Sequence, residues 1–371
     1  MPTADVIIIG GGIIGCSIAY RLAREGLSVT VVDRDQPGQE ASRAAAGLLA
    51  PQSEIAHEPS GPFFELCYRS RQLYPDFVAD VEEASGLTVE YRTEGSLFLA
   101  YDFAEGQILS AALEKQIGAG LAVEDLTADE LRAREPALSE NIPMALYIPG
   151  DHQVNNQRLM RALLIAAEQR GVRFLSGTPV IGLLREGDRV VGVRTNRETL
   201  SAAVVINCAG AWASTVDPIF AQTFSVTPIR GQIVVLEASP PLFRHVIYSA
   251  ECYVAPRRDG RMLIGSTMEM VGFDKSVTAE AVVGLLRAVE KMSPRIARCR
   301  FVTAWAGLRP DTPDHWPILG AMPLRGALVA TGHFRNGILL APITAQILSE
   351  LVLTGSSSLD LTPFSPLRFS S

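Results

Sequence analysis

Asp5-Val6-Ile7-Ile8-Ile9-Gly10-Gly11-Gly12-Ile13-Ile14-Gly15 decides how the rest of the chain is read. Four apolar residues that run without alternation into glycines predict a fully buried parallel strand. Ile14, Ile18, Ala19 and Leu22 then recur on one face of a helix beginning at Ile13. A second strand, Ser28 to Val32, ends on Asp33, 33 − 10 = 23 positions after the first glycine. Together these parts make a βαβ dinucleotide fingerprint. Gly10 permits the tight turn, Gly12 lets a pyrophosphate reach the backbone, and Gly15 lets helix and strand pack closely. The helix N-terminus offers N–H groups and a partial positive charge to the phosphates. Asp33 accepts hydrogen bonds from a ribose diol and so disfavours a 2′-phosphate. The motif alone does not separate FAD from NAD, and a glycine-rich turn in an ordinary α/β protein is its plain alternative.

The bulk of the chain agrees with a soluble two-part protein. At 371 residues, 47% of them hydrophobic, two intertwined domains are expected. The balance of 33 basic and 40 acidic residues gives −7 with no basic run, so nucleic acid is not an expected partner. Five scattered cysteines without a CxxC pair read as reduced, cytoplasmic thiols. The five histidines show no ligand spacing, so no metal site is expected. The first strand begins by residue 5, so no signal peptide is expected. The most apolar segment, Ile338 to Leu353, is interrupted by Pro342, Thr344, Gln346, Ser349 and Glu350, and reads as a buried helix rather than a membrane span. A cytoplasmic location is the expectation.

Beyond Asp33, Glu40 to Leu49 is a run of small residues ending near Gly47. It permits close backbone approach to something flat, with Ser42 and Arg43 able to hold phosphate; a short alanine-rich helix with a glycine cap is the equal alternative. Residues 62–85 predict a long amphipathic helix, and Thr127-Ala128-Asp129-Glu130 a capping box. A helix over 157–169 and four short strands follow, the last running into Cys208-Ala209-Gly210-Ala211-Trp212 as a second wall of the dinucleotide site. Strand signals at 231–237, 246–248, 253–256 and 261–266, the last two joined across Arg258-Asp259-Gly260, predict an antiparallel sheet with one exposed face. A helix from Thr278 to Met292 packs on it. The chain then returns through Trp305 to Pro310, a strand at 327–330 and Gly332 to Gly337. The tail from Ser356 reads as loose.

The fingerprint, the small-residue segment 42–48, Gly307-Leu308-Arg309-Pro310 and Gly332-His333-Phe334-Arg335-Asn336-Gly337-Ile338-Leu339-Leu340-Ala341-Pro342 together resemble the D-amino-acid oxidase superfamily, and within it the bacterial glycine oxidases of thiamine thiazole synthesis. The resemblance covers essentially the whole chain and favours FAD over NAD. It implies an α/β plus α+β fold: a Rossmann-like, GR2-type FAD domain (1–50, 151–222 and 301–371) interleaved with an antiparallel-sheet substrate domain (51–150 and 223–300). With Gly10, Gly12 and Gly15, it implies that Ile14, Asp33, Arg34, Ser42, Ala46, Gly47, Leu48 and Val180 line FAD. His333, Phe334, Arg335, Asn336, Gly337, Ile338 and Leu339 would wrap the flavin, with the next helix turned toward its pyrimidine half. Arg309 would clamp a substrate carboxylate, Tyr253 would add a hydroxyl, Arg335 would stand at the site's edge and Met268 would narrow the pocket.

Without the family, Arg309 reads as an ion pair with Asp311 or Asp314, Tyr253 as sheet cover, Met268 as core and Arg335 as a solvated loop residue. Glu251 stands where the glycine oxidases carry a histidine, placed to attract a substrate ammonium or repel its carboxylate; Leu48 replaces a methionine. No cysteine follows Cys299, so the flavin is expected to be non-covalent. The implied reaction is oxidation of glycine, sarcosine or small D-amino acids, with O2 as acceptor and glyoxylate or a thiazole synthase receiving the product. A homo-oligomer is compatible with the resemblance. The rival readings are a D-amino-acid dehydrogenase with another acceptor, a non-catalytic flavin-binding subunit and a nicotinamide-dependent dehydrogenase.

Overall fold

The computed structural model describes residues 3–54 and 60–369. Ala4–Ile9 forms the middle of the first sheet and is buried everywhere except Asp5. It pairs in parallel with Thr199–Asn207 on one side and Val29–Val32 on the other. Ala327–Thr331 and Arg173–Leu175 extend the parallel order outward. Ile318–Ala321 adds an antiparallel edge, and Arg189–Thr195 and Val180–Glu186 fold off the 199–207 strand.

The unbroken apolar run of this strand follows from cover on both sides. Val6 and Ile8 face the helices Ile13–Arg24, Asn156–Gln169 and Ala341–Thr354, while Ile7 and Ile9 join a separate core with Ala213, Val216 and Phe220. At the turn between strand and helix, Gly10 has φ +102°, a conformation that L side chains rarely adopt. A Cβ at Gly15 would collide with the Gly10 carbonyl, which is why helix and strand come so close here.

The second sheet has the order 300–311, 227–237, 261–265, 253–256, 246–248, 96–100, 144–148 and 124–127. Its pairs are antiparallel except for 246–248 against 96–100. The alternation of its strands does not leave a face in water as expected; it sorts two buried faces. Val234, Leu236, Val254 and Ile264 pack under the helix Ala279–Met292, whereas Ile233, Val235, Ala255 and Leu263 close on Ala46.

Two assignments differ from the sequence boundaries. The helix Pro62–Ser85, expected with the substrate portion, buries Leu66, Cys67, Tyr74, Val78 and Val81 against the helices of the first sheet. Its pattern announces a buried stripe but not what covers it. Strand Arg300–Asp311, expected from residue 301 onward with the dinucleotide portion, pairs along 227–237 in the second sheet. It nevertheless touches the first half, because a Cβ at Gly307 would collide with Ala44.

The tail as far as residue 369 is built of defined turns rather than loose chain. Thr362–Phe364 and Pro366–Phe369 form short turns, Phe364 is buried, and Arg368 grips Asp314 at 2.7 and 2.9 Å. All five cysteines are free thiols. Among the described residues no helix is long and apolar enough to cross a membrane.

Candidate active site

The carboxyl ends of the parallel strands open into a cavity whose far wall is the second sheet, the position where open α/β sheets hold ligands. Gly10, Gly12, Ile14, Asp33, Arg34, Ser42, Ala46, Gly47, Leu48 and Val180 line it, as do His333, Phe334, Arg335, Asn336, Gly337 and Ile338. Gly15 and Leu339 do not: the first serves packing, and the second is core. Cys208 to Trp212 form the second wall that the strand–turn pattern anticipates.

At the start of helix Ile13–Arg24 the Ile13 N–H donates to Ser42 Oγ at 2.8 Å, and the Gly11 N–H donates to Asp33 Oδ2 at 2.7 Å. The N–H groups of Ile14 and Gly15 find no acceptor among the described residues. A helix end with open donors and a glycine at the cavity wall fits a phosphate. Arg34 lies 3.5 Å from the centre of the Trp212 ring and 3.1 Å from Glu40.

The segment Ala41–Leu49 holds a four-residue helix, Ala41–Ala44, that ends on Ala45 rather than on a glycine cap, followed by the strand Leu48–Leu49, and Ser42 and Ala44 to Leu48 line the cavity. Its carbonyls are held from three directions. Asn156 Nδ2 donates to Ser42 O at 2.8 Å, Trp305 Nε1 to Ala44 O at 3.0 Å and Arg257 Nη2 to Ala46 O at 2.7 Å. Arg257 is buried, and desolvation pulls its pKa down to about 10, so it stays charged at neutral pH.

His333 is buried as well, and burial pulls its pKa to about 3. The neutral ring meets Thr344 Oγ1 at 3.1 Å. The carbonyls that follow are satisfied by the long helix 62–85: Ser70 Oγ donates to Leu339 O at 2.6 Å and Tyr74 Oη to Ile338 O. Ser70, Tyr74, Asn156, Arg257 and Trp305 were not anticipated as supports. Nothing local in the sequence marks a side chain whose partner is a carbonyl a hundred or more residues away.

The other end of the cavity is made of side chains. Arg309 donates from Nη2 to Ser266 Oγ at 2.6 Å and from Nη1 to Thr267 O at 3.1 Å. The carboxylates that follow it are engaged elsewhere, Asp311 with His315 at 2.7 Å and Asp314 with Arg368. Tyr253 pairs across the sheet with Gly265. A Cβ at Gly265 would collide with the Tyr253 hydroxyl, and one at Gly231 would collide with the Arg309 guanidinium. Each side chain therefore lies over a glycine, and the two reach consecutive residues, Tyr253 to Gly265 and Arg309 to Ser266. Gly231 and Ser266 line the cavity, and sequence reasoning had singled out neither.

Two expected residues stand outside the lining. Met268, 59% exposed, lies beyond the end of strand Arg261–Gly265 and is not among the residues that line the cavity. Glu251 pairs with Lys291 at the surface. It precedes strand Tyr253–Pro256 in a turn closed by the Ser249 N–H on Cys252 O at 2.9 Å, so strand alternation with Tyr253 does not reach it. Arg335 lines the cavity from an exposed position.

Comparison with known proteins points the same way. Residues 5–351 match the family described as DAO, FAD dependent oxidoreductase. The glycine oxidase of Geobacillus kaustophilus is 35% identical over 98% of this chain and 97% of its own length. A crystal structure of glycine oxidase from that organism superposes with a TM-score of 0.95, at 34% identity and 100% coverage of both chains. The hydrogen cyanide synthase subunit HcnC of Pseudomonas aeruginosa is 37% identical over 99% of this chain and 96% of its own. The bifunctional protein ThiO/ThiG of Trichormus variabilis is 37% identical over 99% of this chain, which spans only 55% of that protein.

Proposed function

Because the chain belongs to the FAD dependent oxidoreductase family and is an FAD-dependent enzyme, we propose that it oxidises the carbon–nitrogen bond of a small amino acid, glycine foremost, with sarcosine and small D-amino acids as further candidates. The observation that carries this reading is the convergence of Arg309 and Tyr253 on Gly265 and Ser266, inside the cavity that the dinucleotide fingerprint also lines. When bound, FAD supplies the hydride acceptor, and dioxygen takes the electrons on as hydrogen peroxide.

The chain's own residues bind and orient. Arg309 holds the substrate carboxylate through charge-assisted hydrogen bonds, and its grip on Ser266 and Thr267 fixes the guanidinium beforehand. Tyr253 adds its hydroxyl to the same carboxylate, and Arg335 covers the open edge. Gly10, Gly12, Ile14, Asp33, Arg34, Ser42, Ala46 to Leu48, Val180 and the 333–338 loop hold the cofactor. No side-chain base is required, because the neutral amine loses its α-hydrogen as hydride and its N–H proton to water. The resulting imine hydrolyses to glyoxylate and ammonia or passes to a thiazole synthase; the ThiO/ThiG relative supports that hand-off by its name. The two portions of the chain act as a cofactor domain and a substrate domain, with a cytoplasmic location and a homo-oligomer as parts of the same reading.

HcnC favours a second reading, in which the chain works as one subunit of a larger oxidase. The carbon of hydrogen cyanide is more oxidised than that of an imine, so such an assembly also begins with amine oxidation. An anaerobic absorbance spectrum tests both readings together with the dehydrogenase alternative. Glycine, sarcosine, D-alanine and D-proline are added separately to the purified holoenzyme. Bleaching by glycine followed by peroxide release on aeration supports the oxidase. Bleaching only by larger D-amino acids removes glycine, bleaching without oxygen uptake favours another acceptor, and a flavin that no amine bleaches sinks the isolated-enzyme reading.

A further inference from the structure

Between Thr267 and Thr278 the chain makes a last backbone bridge to the second sheet, Glu269 against Arg230, then reaches the first half of the molecule and returns. Its base is fixed. Arg230, only 4% exposed, donates from Nη1 to Asp274 Oδ2 at 2.6 Å and Ser276 Oγ at 3.0 Å, and from Nε to Glu269 Oε2 at 3.2 Å. Gln232 spans both ends: its backbone N–H donates to Thr267 Oγ1 at 3.0 Å, and its Oε1 accepts from the Thr278 N–H at 2.8 Å. The strap thus begins where Arg309 holds Ser266 and Thr267, and its ends are tied to strand 227–237.

Its tip closes a ring of contacts. The Phe273 ring stacks on Trp212 with centroids 5.3 Å apart and planes 21° from parallel. Lys275 Nζ lies 2.9 and 3.1 Å from the two oxygens of Glu40. Arg34 completes the ring, 3.5 Å from the centre of Trp212 and 3.1 Å from Glu40. Trp212, Glu40 and Arg34 line the cavity, whereas Phe273 and Lys275 do not. The two strap residues therefore bear on cavity wall residues from outside.

We propose that the 267–278 strap is a clasp for FAD: through Phe273 on Trp212 and Lys275 on Glu40 it holds the wall beside Asp33 and Arg34 shut, and the cofactor leaves when these contacts part. The proposal rests on the flavin assignment and not on which amino acid is oxidised. Release of a non-covalent dinucleotide past this wall requires these contacts to part. Because the base of the strap is already fixed in the protein, little ordering remains to oppose closure, and the contacts act chiefly on the rate of release. The stack is the larger element, since an exposed ion pair contributes little and is screened by salt.

The test follows free-flavin fluorescence after wild-type holoenzyme and its Phe273→Ala, Lys275→Ala and Met270→Ala variants are diluted into FAD-free buffer. Met270 lies on the same strap, 81% exposed and outside the ring. Phe273→Ala is expected to release FAD roughly three- to tenfold faster. Lys275→Ala is expected to release it about twofold faster at low salt and at the wild-type rate in high salt. Met270→Ala should match wild type, and the melting temperatures of the three apoproteins should match that of the wild-type apoprotein. Wild-type release by Phe273→Ala overturns the clasp. So does equal acceleration by Met270→Ala, or acceleration accompanied by a destabilised apoprotein, since each assigns the effect to general loosening. A wrong substrate assignment appears in the bleaching spectra and leaves release rates untouched.

Discussion

Ile14 and Arg309 line the same cavity, yet they arrive there by opposite routes. Around Ile14 the wall is mostly backbone: a glycine turn, the start of a helix, and the carbonyl-tethered segments 41–48 and 333–338. Those parts are continuous in sequence, so their chemistry is local. Around Arg309 the wall is built of side chains from strands far apart in the chain, and each lies over a glycine of a neighbouring strand, Tyr253 over Gly265 and Arg309 over Gly231. The difference teaches that a surface for a conserved ligand such as a dinucleotide can be written in consecutive residues, whereas a site for a small substrate depends on the register of a sheet. Changes at the two ends should therefore fail in different ways, one losing cofactor and the other losing turnover.

The largest separation is expected from Arg309→Met. Charge-assisted hydrogen bonds of roughly 1.5–3 kcal/mol each would be lost, so kcat/KM for glycine should fall about a thousandfold while flavin content stays at the wild-type level. Flavin loss on purification instead would break the comparison, because the Arg309 end would then be holding the cofactor.

Gly231→Ala probes the same end without touching a charged group. Its new methyl group would meet the guanidinium of Arg309, which has to move off Gly231. A displacement on the order of 1 Å can cost about a hundredfold in rate, so kcat/KM for glycine should fall by that amount with the arginine still present. Unchanged kinetics would mean that the glycine clearing does not set the arginine's place.

The backbone end carries a pH signature through His333. Its folded-state pKa of about 3 lies below the ordinary 6.5, so the unfolded chain takes up the proton first as pH falls. Stability from this group is whole above 6.5 and drains as pH drops through 6.5 toward 3. At pH 5 the loss is about 2 kcal/mol. Denaturant melts at pH 7 and pH 5 should show that extra loss in wild type and not in His333→Gln. Equal losses in both proteins would place the acid sensitivity elsewhere.

What was legible follows the same division. The strand–turn–helix start, the second wall at Cys208 to Trp212 and the capping box at Thr127, where the Thr127 N–H donates to Glu130 Oε2 at 2.9 Å, all stand where the sequence put them. Each is a short-range pattern with a local cause. The meeting of Tyr253 and Arg309 was not legible from spacing; it depends on Tyr253 facing Gly265 and Ile229 facing Arg309 across the ladder, and only family resemblance pointed to it. The service of helix 62–85 to the 333–340 loop was hidden for a related reason. Ser70 and Tyr74 look like ordinary members of an amphipathic face until the carbonyls of Ile338 and Leu339 are laid over them.

Glu251 gives the smallest and most discriminating change. Its position two residues before Tyr253 suggests a group on the same face of a strand, but the strand begins only at Tyr253, and the carboxylate pairs with Lys291 at the surface. An exposed pair of this kind contributes on the order of 0–1 kcal/mol. Glu251→Gln should therefore shift stability by less than about 0.5 kcal/mol and leave kcat/KM for glycine within about twofold of wild type. A severalfold change in KM with unchanged stability would bring the carboxylate's charge back to the substrate. The boundary between the two ends of the cavity would then extend past the sheet, into the turn that precedes Tyr253.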